Sequence, residues 1–177
     1  LERISEEVHL DTILITVVDK NRSSVSLIFS IFHSFGSGLC SEEYGLLFHN
    51  RGAGFVLQKD HPNELIGGKK PMHTIIPAMV EKNGKIILSY GVMGGQYQPT
   101  GHVRILSNIF DYQMDLQQAI DLPRSFADST GLLLETGYSE SIASSLSNLG
   151  HKIIRPLAPL GGAQAIFIDN EKNIISG

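Results

Sequence analysis

A glycine-rich turn, Gly91-Val92-Met93-Gly94-Gly95, follows an apolar run and precedes residues with helical spacing. Backbone N–H groups at the start of a helix point outward and carry partial positive charge, so they suit an oxyanion or a phosphate. The segment lacks the Gly-Lys-Ser/Thr ending of a P-loop and the third glycine of a dinucleotide fingerprint. Taken alone, the pattern favours a simple strand-to-helix turn, and an oxyanion site or a phosphate site stays open as an alternative.

The other residue types that often carry chemistry are scattered. The seven histidines form no His-x-x-x-His pair, and the single cysteine, Cys40, excludes both an intrachain disulfide and a Cys-x-x-Cys motif. No Gly-x-Ser-x-Gly elbow is present, so a hydrolase triad of that type is not predicted. We therefore expect no metal site and no bound cofactor.

Composition limits the class of protein. The chain has 177 residues, of which 42% are hydrophobic and 18% charged, which is typical of one medium domain or one half of a larger fold. The net charge of -4 gives no electrostatic reason to expect a nucleic-acid or anionic-membrane partner. No apolar run reaches the length of a membrane span. The chain opens at Leu1 without an initiator Met, which we interpret as a fragment, a processed subunit or a trimmed chain; localisation stays open.

Two hairpins are predicted. Residues 13–18 and 25–31 are apolar runs joined by a polar turn, and neither alternates cleanly, so we expect both strands to be buried on both faces. Residues 74–80 and 86–92 form a clearer hairpin around Asn83-Gly84, a strong turn signal. A further short strand is predicted at residues 46–49.

Helices follow the second hairpin. Apolar spacing predicts a helix from Val103 to Phe110, a short helix around Leu116 to Ile120, and a helix over residues 139–149 that stops at Gly150. Strand patterns appear at residues 132–135 and 163–168, and another begins at Ile174. This order predicts an α+β fold, an antiparallel sheet covered by helices, which we expect another chain or segment to complete.

Several segments, taken together and in order, resemble the small-subunit region of the γ-glutamyltransferase family. The segments are Thr12-Ile13-Leu14-Ile15-Thr16-Val17-Val18-Asp19-Lys20, Phe35-Gly36-Ser37-Gly38, Gly45-Leu46-Leu47-Phe48-His49-Asn50, Lys69-Lys70-Pro71 with Pro77, Gly91-Val92-Met93-Gly94-Gly95 and Asp121-Leu122-Pro123-Arg124. The resemblance runs from about residue 11 to the C-terminus. It implies the N-terminal nucleophile hydrolase fold, an αββα sandwich of antiparallel sheets covered by helices and made from one precursor that is cut into two subunits.

The resemblance also implies roles for single residues. Thr12 would be the nucleophile after autocleavage at Asp11–Thr12, so residues 1–11 would precede the cleavage site and residues 12–177 would form the small-subunit catalytic domain. The backbone N–H groups of Gly94 and Gly95 would hold the oxyanion, and Ser30 stands where the family carries a Thr thought to bond the nucleophile hydroxyl. The expected partner is the large subunit of the same precursor, and the expected reaction is transfer or hydrolysis of a γ-glutamyl or other acyl-amide substrate.

Departures from the family pattern concern the acyl group. Arg51 and Gly54 stand where the family has Gln/Glu and Asp, and His73-Thr74 replaces a Ser-Ser pair that binds the α-carboxylate. We therefore expect Arg51, His73 and Thr74 to bind substrate and to favour an anionic acyl group, as in an acylase-like bacterial branch. The alternative hypothesis is a non-catalytic relative that serves as a binding or assembly protein.

Overall fold

The computed structural model describes residues 12–177; residues 1–11, and with them the Asp11 side of the predicted cleavage site, lie outside this range. The strands are β1 (Ile13–Val18), β2 (Ser24–Phe29), β3 (Pro77–Lys82), β4 (Lys85–Met93), β5 (Ser125–Ala127), β6 (Leu132–Leu134), β7 (Ile153–Ile154), β8 (Gly162–Asp169) and β9 (Ile174–Ser176). The helices are α1 (Gln98–Phe110), α2 (Leu116–Asp121) and α3 (Glu140–Asn148). The predicted α+β class is confirmed.

Both predicted hairpins form. Strands β1 and β2 pair antiparallel, and the Asp19 carboxylate closes their turn by accepting hydrogen bonds from the N–H groups of Asn21 and Ser23, each at 2.8 Å. Strands β3 and β4 pair antiparallel around Asn83 and Gly84, which have φ values of 53° and 75°. Positive φ at both central residues is the requirement of the hairpin turn whose twist matches that of its strands.

The β1–β2 hairpin lies face to face on β4, the second strand of the sheet β3-β4-β8-β9. Leu14 is buried against Gly91, where an added Cβ would lie 2.8 Å from the leucine Cδ1. Thr16 and Ser89 share a hydrogen bond of 2.6 Å between their hydroxyl groups. These contacts tie two β layers together at defined positions along β1 and β4.

The opposite face of this sheet packs on α1 and α2. The core there is formed by Leu88, Tyr90, Val92, Tyr97, Ile105 and Ala165. Alternation along β4 explains the two layers, because residues 88, 90 and 92 face the helices while Ser89 and Gly91 face the hairpin. Each large apolar side chain buried here contributes about 1.5–3 kcal/mol to the free energy of unfolding.

The prediction that β1 and β2 are buried on both faces is wrong for the part of the chain that the structure describes. One face is buried on β4, and the other is exposed and apolar. The exposed side chains, which we call the outer hairpin face, are Ile13, Ile15, Val17, Val25, Leu27 and Phe29. The described layers are therefore the β1–β2 hairpin, the sheet β3-β4-β8-β9 and the helices α1 and α2. No element described over residues 12–177 covers the outer hairpin face.

A smaller sheet, β5-β6-β7, stands beside α3. The predicted helix 139–149 is confirmed as α3, whose first turn is capped by the Ser139 hydroxyl accepting from the N–H of Ile142, and Gly150 follows it with φ 95°. Strands β6 and β7 pair in parallel, which the antiparallel prediction did not anticipate. Strands β5 and β7 have only three and two residues, too few to give a periodic pattern.

Other boundaries also differ from prediction. Residues 46–49 form no strand, because only Leu47 makes a single bridge, to Cys40. The strand predicted from residue 74 begins at Pro77, and α1 begins at Gln98, ahead of Val103. The first turn of α1 contains Pro99, whose fixed φ suits a helix start. None of the helices described over residues 12–177 is long and apolar enough to cross a membrane.

Candidate active site

Thr12 and Ser30 lie opposite each other at the open end of the β1–β2 hairpin. The pairing of Ile13 with Phe29 continues outward to residues 12 and 30, one step beyond the paired strands. Thr12 is only 7% exposed, and it belongs to the same alternating set as the inward-facing Leu14. The Ser30 hydroxyl accepts a hydrogen bond of 3.0 Å from the N–H of Phe32. The threonine therefore faces inward, with a serine hydroxyl across from it.

The stacking of β1 on β4 directs Thr12 toward the glycine-rich turn. Thr16 meets Ser89, and Leu14 meets Gly91, so each step of two residues back along β1 matches a step of two residues forward along β4. One further step of two residues along each strand places Thr12 level with Met93, the residue before Gly94. The hairpin register thus leads the threonine to the end of β4 at which the glycine pair begins.

Gly94 and Gly95 have backbone conformations that side chains disfavour, with φ values of 137° and 54°. A Cβ on Gly94 would lie 2.5 Å from the carbonyl oxygen of Leu160, so the position also lacks space for any other residue. A 3₁₀ turn begins at Gly95 and leads into α1, and the first N–H groups of a helical segment have no acceptor within it. These N–H groups are suited to an external oxyanion.

Glu135 fixes the loop behind the glycine pair. Its Oε1 accepts from the N–H of Leu160 at 2.9 Å, and its Oε2 accepts from the N–H of Arg124 at 2.7 Å and pairs with the Arg124 guanidinium at 3.4 Å. Leu160 in turn contacts Gly94. Sequence reasoning missed Glu135 because its partners are 11 and 25 residues away, so no local pattern marks it.

Arg51 is buried although it is charged. It is 6% exposed, its Nη1 donates to the Thr74 hydroxyl at 3.1 Å, and its guanidinium carbon lies 5.1 Å from the centre of the Phe32 ring. Nη2 is buried and has no hydrogen-bond partner within residues 12–177. Burial lowers the pKa of Arg51 from its ordinary value, but a guanidinium keeps its charge at neutral pH. The residue is therefore a buried cation that lacks a counter-charge in this part of the chain.

Local backbone structure holds Arg51 beside the end of β2. A 3₁₀ turn spans Arg51–Gly54, and the N–H of Asn50 donates to the carbonyl of Ile31 at 3.1 Å. The Asn50 amide also bonds His33, accepting from its backbone N–H at 3.0 Å and donating to its Nδ1 at 2.6 Å. Phe32 is two residues from Ser30, so Arg51, which lies over the Phe32 ring, is held beside the end of β2.

The predicted substrate-binding residues divide into two groups. Arg51 and Thr74 contact each other, while His73 is exposed and its side chain makes no hydrogen bond or ion pair within the described range. Also within that range, no three His, Cys, Asp or Glu side chains lie close enough to hold a metal ion. Thr12 thus stands opposite Ser30, Gly94 and Gly95 form the turn after β4, and Arg51 contacts Thr74.

Comparisons with known proteins identify relatives along nearly the whole chain. The γ-glutamyltranspeptidase family model matches residues 2–177. A glutathione hydrolase-like proenzyme of Bacillus subtilis is 36% identical over 176 residues, which are 94% of this chain and 34% of that protein. An oxamate amidohydrolase proenzyme of Klebsiella pneumoniae is 35% identical over 149 residues, which are 81% of this chain and 28% of that protein. The chain thus spans about a third of the length of the curated relatives it matches.

Solved structures share the fold. A cephalosporin acylase from Bacillus halodurans is 34% identical with a TM-score of 0.84, over 92% of this chain and 31% of that chain. An acivicin-inhibited γ-glutamyltranspeptidase is 25% identical with a TM-score of 0.82, over 93% of this chain and 95% of that chain. The predicted N-terminal nucleophile hydrolase fold is confirmed by this likeness.

Proposed function

Because the chain belongs to the γ-glutamyltranspeptidase family, we propose that it carries the nucleophile of an amide hydrolase or acyltransferase and that this nucleophile is Thr12. Autocleavage at Asp11–Thr12 would release the α-amine of Thr12, leaving residues 12–177 as the nucleophile-bearing domain. The observation that carries the proposal is the position of Thr12: it is buried, faces β4, and is led by the hairpin register to the level of Met93, next to Gly94.

Chemically, Thr12 supplies both nucleophile and base. An α-amine has an unperturbed pKa of about 7.7–8.0, so a fraction of it is neutral near pH 7 and accepts the hydroxyl proton. The Oγ–C bond to the substrate carbonyl forms, the N–H groups of Gly94 and Gly95 stabilise the oxyanion, and the amine passes the proton to the departing nitrogen as the C–N bond breaks. Water or an acceptor amine then attacks the ester carbonyl and gives its proton to the Thr12 α-amine, which returns that proton to Thr12 Oγ as the C–Oγ bond breaks. Ser30, opposite Thr12, orients the nucleophilic hydroxyl.

Arg51 and Thr74 are proposed to bind the acyl part of the donor, with His73 at its exposed margin. The names of the relatives support a donor that carries a carboxylate. The γ-glutamyl group of glutathione has a free carboxylate, and oxamate is the monoamide of a dicarboxylic acid. The reaction class is therefore hydrolysis or transfer of a small acyl group from an amide.

The outer hairpin face supports a partner from the same precursor. It exposes six apolar side chains on two adjacent strands, and contiguous apolar surface of this kind marks an interaction site. The related proteins are named proenzymes and are about three times as long as the matched region. We propose that the remainder of the precursor, the large subunit, covers this face and completes the sandwich.

The test is intact-mass analysis of the full precursor as expressed, with Thr12→Ala and Thr12→Ser compared with wild type. We expect a break before Thr12 in wild type, none in Thr12→Ala, and slowed cleavage in Thr12→Ser, because serine keeps the hydroxyl. An electrophilic glutamine analogue is expected to add its mass to the fragment that begins at Thr12. Substrate turnover by an uncleaved precursor would overturn the proposal, and turnover absent together with no adduct would support the non-catalytic alternative.

A further inference from the structure

A buried cation without a partner defines the acyl-binding side of the site. Ion pairs within residues 12–177 join Arg124 to Glu135, Arg155 to Glu140 and Lys172 to Asp169, and none includes Arg51. Burying an isolated charge is costly unless it is paired and hydrogen-bonded. One nitrogen of the guanidinium bonds Thr74, and Nη2 remains buried and unbonded among the described residues. The missing element is an anionic acceptor.

The position of Arg51 connects it to the nucleophile. Its guanidinium lies over the Phe32 ring, Phe32 donates its backbone N–H to the Ser30 hydroxyl, and Ser30 stands opposite Thr12. A ligand anchored at Arg51 therefore lies on the side of the site next to the hydroxyl that would attack it. Since a guanidinium presents a planar fork that matches a carboxylate, the natural ligand group is a carboxylate.

The turn that carries Arg51 contains no acidic residue that could pair with an ammonium group. Gly54 closes the turn that begins at Arg51 and has no side chain, and the position of its absent Cβ lies 3.6 Å from the Phe32 ring. The nearest ionisable group on this turn is Arg51 itself, which repels a cation. A zwitterionic γ-glutamyl group would place its ammonium in this environment, whereas a donor without the ammonium would not.

Resting on the proposed function, we infer that this site takes an acyl donor that carries a carboxylate and no ammonium group, that is, a monoamide of a small dicarboxylic acid, with Arg51 binding the carboxylate. The γ-glutamyl group is then the poorer donor because it adds a positive charge beside the guanidinium of Arg51, on a turn without an acidic residue. Arg51 is a specificity-determining residue, and Thr74 holds one edge of its guanidinium.

The experiment compares two chromogenic donors that differ only in the ammonium group, glutaryl-p-nitroanilide and γ-glutamyl-p-nitroanilide, on the full processed protein. We expect kcat/KM to be at least about tenfold higher for the glutaryl donor. Oxamic and succinic monoanilides extend the comparison to shorter acids. The wild-type ratio needs no variant, so it does not depend on whether an altered protein folds.

Variants then assign the preference to Arg51. Arg51→Gln removes the charge and is expected to lower kcat/KM for the glutaryl donor by about 30-fold or more, the usual effect of losing one partner of a buried charge pair. Arg51→Lys keeps the charge without the fork and should lose less. Lys59→Gln removes an equal charge from an exposed loop and is expected to leave the ratio unchanged. Processing at Thr12 and the thermal midpoint report whether each variant is folded.

The possible outcomes separate the inference from the proposed function. A Thr12-dependent preference for the γ-glutamyl donor overturns the inference and leaves Thr12 as the nucleophile. An Arg51→Gln protein that is processed and folded but keeps the wild-type donor ratio also overturns it, and indicates that Arg51 pairs with a carboxylate of the precursor. Turnover of either donor by Thr12→Ala overturns the proposed function itself.

Discussion

At the scale of single residues, the site depends on positions where no other side chain fits. Gly94 combines a φ of 137° with close contact to the Leu160 carbonyl, the Cα of Gly161 and the Tyr97 ring. The Glu135 carboxylate accepts a hydrogen bond from the N–H of Leu160, and it also pairs with Arg124. The glycine pair is therefore fixed from behind by a loop that is anchored to a half-buried carboxylate.

Gly94→Ala tests this arrangement. The added methyl group would lie 2.5 Å from the Leu160 oxygen and force a disfavoured φ, so we expect the free energy of unfolding to fall by about 2 kcal/mol or more. Urea unfolding measures this loss, and the hydrolysis rate should fall by about 10²-fold or more if the N–H is displaced from the oxyanion.

Gly67→Ala is the matched control for that substitution. Gly67 has no atom within 4 Å of an added Cβ, so its replacement is expected to leave both stability and rate near those of wild type. Equal stability of the Gly94 and Gly67 variants would show that the close contact at Leu160 relaxes without cost.

At the scale of elements, the sequence predicted what periodicity and turn chemistry determine. The β3–β4 hairpin was predictable because Asn83-Gly84 fits its turn, and α3 was predictable from Ser139 and Gly150 at its two ends. The exposed outer hairpin face was not, because residues such as Ile15 and Leu27 are as apolar as the buried Leu14, and no pattern distinguishes the two faces. The contact between Arg51 and Thr74 was not predictable, because the two residues are 23 positions apart in the chain. The sequence singled them out only as departures from the family pattern.

Helix α1 also carries a buried histidine that sequence analysis did not single out. His102 lies 4.9 Å from the Tyr90 ring between centroids, and burial lowers its pKa, opposed by an interaction with the backbone of Ile76. The folded protein therefore binds a proton at His102 less readily than the unfolded chain does. A lone histidine on an apolar helix face gives no sequence signal that separates this environment from an exposed one.

The pH dependence of stability follows from this burial. As pH falls below the unfolded His pKa of about 6.5, the unfolded chain takes up a proton that folded His102 does not, so stability falls by at most about 1.4 kcal/mol per pH unit for this group. His102→Gln should be less stable at pH 8 but lose less stability between pH 7 and 5 than wild type, as measured by urea unfolding.

His151→Gln provides the comparison, because His151 lies exposed after α3. The free energy of unfolding of His151→Gln is expected to change with pH as that of wild type does. If His102→Gln also matches wild type between pH 7 and 5, His102 is not the group that couples folding to acid pH.

At the scale of the whole molecule, two β layers and one helical layer are described, and the outer hairpin face is the open side of the sandwich. The related proteins are about three times longer than the matched region, which supports the proposal that the rest of a precursor lies on this face. The fold of this chain resembles those of solved relatives with TM-scores above 0.8, so the layers described here are positioned as in those structures.

A charge on the outer hairpin face tests the proposed assembly. Leu27→Asp places a carboxylate where we propose apolar contact, so processing of the precursor should slow, and any fragments that form should not co-purify. Val103→Asp puts the same charge on an exposed residue of α1 and should leave both unaffected. Normal co-purification of Leu27→Asp would show that the precursor is assembled through another surface.

The stacking of Thr16 on Ser89 and of Leu14 on Gly91 has a consequence for insertions and deletions near the chain start. Adding one residue between Thr12 and Leu14 would turn the threonine outward, away from the glycines. Adding two would restore its direction but move it about 6.6 Å farther from Leu14 along the strand. The segment between Thr12 and the core is thus expected to tolerate changes of residue type far better than changes of length.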